Sequence, residues 1–118
     1  MGQTLMFWNE RSDAESVTLY TGPIDAASMQ SGTVFLGILS VGTATVSIAV
    51  EESIDPNNPD SWSTVGGTAS GSAAGNFKAM VGGQTTGTTN QVGPFLRLRA
   101  TIAVTSGGVV WSGGIVLR

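Results

Sequence analysis

Apolar and polar residues alternate through Thr43–Glu51, where Ala44, Val46, Ile48 and Val50 interleave with Thr45, Ser47, Ala49 and Glu51. Successive side chains of a strand point to opposite faces, so this stretch predicts a strand with one buried and one wet face. A polar, proline-punctuated turn, IDPNNPD, follows, and Ser61–Val65 reads as the return strand. The same alternation fills Phe95–Val104, with Leu96, Leu98, Ala100, Ile102 and Val104 pointing in and Arg97, Arg99 and Thr101 pointing out. Thr33–Ser40 is apolar on both faces, with Val34, Leu36 and Ile38 on one and Phe35 and Leu39 on the other. That pattern predicts a central strand covered on both sides. Val41-Gly42-Thr43 then predicts a turn into the next strand.

The remaining segments are shorter. Val17–Tyr20 is a strand closed by Thr21-Gly22-Pro23, and Ile24–Gln30 reads as an irregular loop or a strand edge. Gly66–Gly75 and Gly82–Gly93 are small-residue loops with nothing to bury, and they flank a strand at Asn76–Val81. Thr105–Gly108, TSGG, is a hairpin signal before the last strand, Val109–Leu117. The Gly113-Gly114 break in that strand predicts a bulge or a close backbone approach. Residues 1–16 read as an arm or first strand. Leu5, Met6, Phe7 and Trp8 either dock on the home core or add a strand to a neighbouring subunit. No segment has a 3.6-residue period. Eight short strands predict an all-β antiparallel sandwich of Greek-key or jelly-roll type over 17–118, with a closed barrel as the alternative.

Composition narrows the function classes. The 118 residues suit one domain, and 41% hydrophobic residues suffice for a core. Charged residues are only 11%, against the ~25% of a usual soluble domain, and there are 17 glycines. The surface is therefore largely Ser, Thr, Gly and Ala. Such a surface desolvates cheaply and suits lateral packing in an assembly, or a plain β-rich extracellular domain. Net charge is −3 with five Lys and Arg and no basic run, which sets nucleic-acid partners aside. No apolar run reaches the ~20 residues of a membrane span, and the N-terminal patch lacks the form of a signal peptide. The expectation is a soluble chain made in the cytoplasm.

Candidate chemistry is sparse. Without His or Cys there is no imidazole base, no catalytic triad and no zinc site, so neither a catalytic residue nor a cofactor is expected. Glu51 with Asp55 or Asp60 is a conceivable carboxylate pair, yet nothing in the pattern indicates the cleft that a glycosidase needs. These acids more simply solvate a strand end. Asp55, Asn57, Asn58 and Asp60 are oxygen donors of the kind calcium uses, and equally the residues of ordinary turns. Arg97 and Arg99 share one strand face, where they either pair across strands with Glu51 or Glu15 or meet acidic groups of a partner. Trp8, Trp62 and Trp111 are a sugar-stacking platform or, more ordinarily, caps on the core.

One constellation goes further. EESIDPNNPDSWSTVGG, then GPFLRLRATIAV and a terminal VVWSGGIVLR, resembles a pattern in small β-sandwich virion proteins of tailed bacteriophages. The matching residues are Glu51, Ser53, Asp55, Trp62, Pro94, Phe95, Leu96, Arg97 and Arg99, and the likeness spans about residues 43–118. Two prolines stand where the pattern often has Asp-Gly. The resemblance implies a non-enzymatic capsid decoration or stabilising protein on the outer capsid surface. It would contact the major capsid protein and copies of itself, often as a homotrimer. Leu5, Met6, Phe7 and Trp8, with Arg97 and Arg99, are then the expected partner-binding residues. A carbohydrate-binding or adhesin module of a phage tail or fibre is the alternative.

Overall fold

The computed structural model describes residues 3–26, 29, 31–82, 84–85, 88–89 and 94–118. Among the described residues there are nine strands: β1 (Gln3–Asp13), β2 (Val17–Tyr20), β3 (Ile24–Asp25), β4 (Ser31–Ser53), β5 (Ser63–Gly71), β6 (Gly75–Gly82), β7 (Gln84–Thr85), β8 (Thr88–Thr89) and β9 (Phe95–Leu117). A 3₁₀ turn, Pro59–Ser61, lies between β4 and β5. Strands β7 and β8 pair only with each other, and the other seven form one antiparallel sheet. Among the described residues no helix is long and apolar enough to cross a membrane.

The frame is the β4–β9 pair. Both strands have 23 residues and they pair along their length, from Gly32 opposite Leu117 to Ser53 opposite Phe95. At ~3.3 Å per residue a flat ladder of that length would run about 75 Å. The longest extent of the molecule is 42 Å, so the ladder folds back on itself. It bends where the register slips, between Ile38 and Ala44 on β4. The facing bend on β9 carries Gly107, whose φ of +84° is left-handed backbone that glycine adopts without strain.

Each half of the folded ladder gains outer strands and becomes a layer. The first layer is β1, the 109–117 half of β9, the 31–38 half of β4, and β6. The second is β2 and β3, the 95–102 half of β9, the 46–53 half of β4, and β5. The product is a two-layered β-sandwich. Its core joins Val34, Leu36, Ile38, Trp111 and Ile115 of the first layer to Val46, Ile48, Val50, Leu98 and Ile102 of the second. The layers approach closely at Gly113, where any Cβ would strike Ile48 Cδ1.

The alternation in Phe95–Val104 is realised, with Leu96, Leu98, Ala100 and Ile102 all buried, whereas in Thr43–Glu51 the expected wet face is partly covered, Ala49 and Glu51 being buried. Other expectations need correction. Val41–Thr43 and Thr105–Gly108 are not turns between separate short strands. They face each other, Thr43 opposite Ser106, so both long strands bend together instead of reversing. Gly66–Gly75 is not all loop, since β5 runs to Gly71 and buries Ala69. Thr33–Ser40 is central but covered on one side only, because Leu39 on the outer face is 56% exposed. Ile24–Gln30 begins as a strand edge, β3, and residues 27, 28 and 30 lie outside the described residues, as does much of the Gly82–Gly93 segment.

Candidate functional site

Residues 3–13 form an edge strand of the home sheet, paired with β9. The register slips between Met6 and Trp8, opposite the adjacent glycines Gly114 and Gly113, so Phe7 is an extra residue on β1. Leu5 and Trp8 turn inward and pack against the core, while Met6 and Phe7 stay exposed. The Trp8 ring lies 5.3 Å from that of Trp111, which is wholly buried. The Trp111 indole N–H donates to Asp13 Oδ2 at 2.8 Å, and Arg11 Nε holds the same oxygen at 2.9 Å. Asp13 was not singled out from the sequence, although a buried indole always calls for an acceptor.

The outer face of the first layer is apolar at its centre. Directly paired residues share a face, which sets Met6, Gly114, Phe35 and Lys78 in one row across four strands. A Cβ on Gly114 would sit 2.9 Å from Phe35 Cζ, so the ring lies over bare backbone. Met80 on β6 is 66% exposed and Met6 is 53% exposed. A groove of ≈ 480 Å³ runs among Met6, Phe35, Phe77 and Lys78.

The outer face of the second layer is different. A row of hydroxyls crosses it, Thr18, Thr101, Ser47 and Ser70, with Ser47 Oγ and Ser70 Oγ 3.0 Å apart. Two rows on lies an ion cluster. Glu51 is buried, and Arg97 Nε donates to its Oε1 at 2.7 Å while Arg99 Nη1 donates to its Oε2 at 2.9 Å. The Arg97 guanidinium carbon sits 4.4 Å from the centre of the Tyr20 ring and 4.5 Å from that of Trp62. Register produces this arrangement: Glu51 is opposite Arg97, and Arg99 is opposite both Ala49 and Tyr20. Arg97 and Arg99 therefore take the cross-strand role with Glu51.

Glu52 points the other way, toward the open end of the sandwich. Its Oε2 is buried and has no hydrogen-bond partner among the described residues. Desolvation by burial raises its pKa above the ordinary carboxylate value. It lines a crevice of ≈ 200 Å³ with Ser53, Ile54, Ser61, Ser63 and Pro94.

Within the Asp55–Asp60 turn, two side-chain oxygens and two carbonyls are used in local hydrogen bonds. Asp55 Oδ1 accepts from Asn57 N at 3.3 Å, Asn58 Oδ1 accepts from Asp60 N at 3.0 Å, and Ser61 Oγ donates to the carbonyls of Asp55 and Asn58. Among the described residues no three His, Cys, Asp or Glu side chains are grouped to hold a metal ion. Both oxygens of Glu51 are committed to arginines, which separates it in role from Asp60 on its exposed turn. The three tryptophans form no common platform, since Trp111 is inaccessible, Trp8 packs on it, and Trp62 is stacked with Arg97.

No protein-family model matches the chain, and no curated protein matches it. Solved structures do. A chain from the structure of infectious bursal disease virus Gx strain aligns with a TM-score of 0.55 at 13% identity. The alignment covers 99% of this chain and 31% of that one, so this chain spans under a third of that protein's length. The likeness shows a shared β-sandwich fold.

Proposed function

We propose that the chain is a non-enzymatic structural protein of a virion. In this reading it decorates or cements a bacteriophage capsid from the outer surface, after synthesis in the host cytoplasm. Its partners are the major capsid protein and copies of itself. The observation that carries the reading is the difference between the two outer faces. The first layer presents exposed Met6, Leu39 and Met80 and a shallow groove lined by Met6, Phe35 and Phe77, and the second presents a hydroxyl row and the Glu51–arginine cluster beside Tyr20. A monomer rarely keeps a contiguous apolar patch in water without using it. The apolar face is the seat on the shell, and the hydroxyl-rich face points to solvent.

The fold shared with a chain of a virus structure supports this reading, as does the low charge of the chain. The homotrimer follows the sequence resemblance to phage virion proteins. Each subunit makes modest contacts, and repetition over the shell adds them into a large effect. The free edge of β1, which no strand pairs among the described residues, is the natural place for contacts between copies. The test is addition of purified protein to shells assembled without it. Saturable binding that raises the melting temperature of the shell is expected, and it weakens in Met80→Glu. Shells that bind nothing would overturn the reading.

A further inference from the structure

In the Glu51 cluster two guanidinium groups share one carboxylate, on a chain with only five Lys and Arg and a net charge of −3. The recorded ion-pair bonds use Nε of Arg97 and Nη1 of Arg99, whereas a guanidinium carries five N–H donors in a planar fork. The cluster stays accessible: the Arg99 side chain is 35% exposed and Tyr20 is 54% exposed. It is also already ordered. Tyr20 and Trp62 each stack on the Arg97 guanidinium and Glu51 anchors it, so little rotamer freedom remains to be lost on binding. Trp, Tyr and Arg are the side chains over-represented at the energetic centres of protein interfaces.

We propose that Arg97, Arg99, Tyr20 and Trp62 form a recognition site for an acidic segment of a protein partner, a carboxylate seated on the outward N–H edges of the two guanidinium groups. Charge complementarity selects the partner, and the neighbouring row of Thr18, Thr101, Ser47 and Ser70 offers hydroxyls that can hydrogen-bond it. The site lies on the layer opposite the apolar face, so it stands whether or not that face binds a shell.

The experiment is an NMR titration of the ¹⁵N-labelled full chain with the peptide Gly-Asp-Glu-Asp-Gly and its neutral twin Gly-Asn-Gln-Asn-Gly. The acidic peptide is expected to give saturable shifts at Tyr20, Arg97 and Arg99 that diminish as salt rises. Loss of one charge-assisted contact in Arg99→Gln is expected to weaken binding by about tenfold or more. Arg97 keeps its bond to Glu51 in that variant, and an unchanged amide spectrum elsewhere verifies its fold. Tyr20→Ser, on the exposed side of the stack, is expected to weaken binding as well. No shift at the cluster, equal shifts from the neutral peptide, or equal affinity in Arg99→Gln would overturn the proposal.

Discussion

Glu51 and Glu52 are adjacent in sequence and opposite in situation, because a strand sends neighbouring side chains to opposite faces. Glu51 has both oxygens paired, so Glu51→Gln leaves two guanidinium groups facing a neutral amide. The expected loss is about 2 kcal/mol, below the figure for a wholly buried pair because the arginines reach solvent, and chemical denaturation measures it. Glu52 has a buried oxygen with no partner among the described residues and a raised pKa. The stability that its neutral form contributes is present in full below the ordinary carboxylate range and is lost as pH climbs through the raised value. Glu52→Gln is therefore expected to raise the melting temperature at neutral pH and to flatten its dependence on acid. Asp13→Ala strips the acceptor from the buried Trp111 indole and is expected to cost about 1–3 kcal/mol.

At the scale of elements, the informative feature is the paired bend in β4 and β9. Strand faces were legible because alternation is a local property, and Leu96–Ile102 shows it cleanly. The bend was not legible, because a Gly-containing break in one strand has the same composition whether the chain reverses or merely folds over. The pairing of Thr43 with Ser106 decides, and that pairing joins residues far apart in sequence. The Glu51 cluster was half visible: the two arginines and Glu51 follow from alternation, but Tyr20 arrives from β2 through register and Trp62 from just after the 3₁₀ turn. Gly107→Ala tests the bend. A side chain at φ +84° is strained, and a Cβ there would lie 3.0 Å from Gly42 Cα. The expected loss is about 1–2 kcal/mol, read from urea unfolding, with the m-value unchanged.

At the scale of the molecule, the two layers give one sandwich with unlike sides. Folding one long ladder in half puts the inner faces of β4 and β9 together and turns their outer faces to opposite directions. The sequence then sets Met6, Phe35, Leu39 and Met80 on one outside, and the hydroxyl row, the Glu51 cluster and Tyr20 on the other. In the proposed role, the side with Met6, Leu39 and Met80 attaches to the shell in a fixed orientation. The most direct measurement is an image of the native particle by electron cryomicroscopy, at a resolution that separates the two layers. The account predicts a sandwich-shaped density on the shell with Met80 and Leu39 against it and Thr18 and Thr101 facing outward. A particle that carries no such density, or one that holds the sandwich by its hydroxyl face, would contradict it.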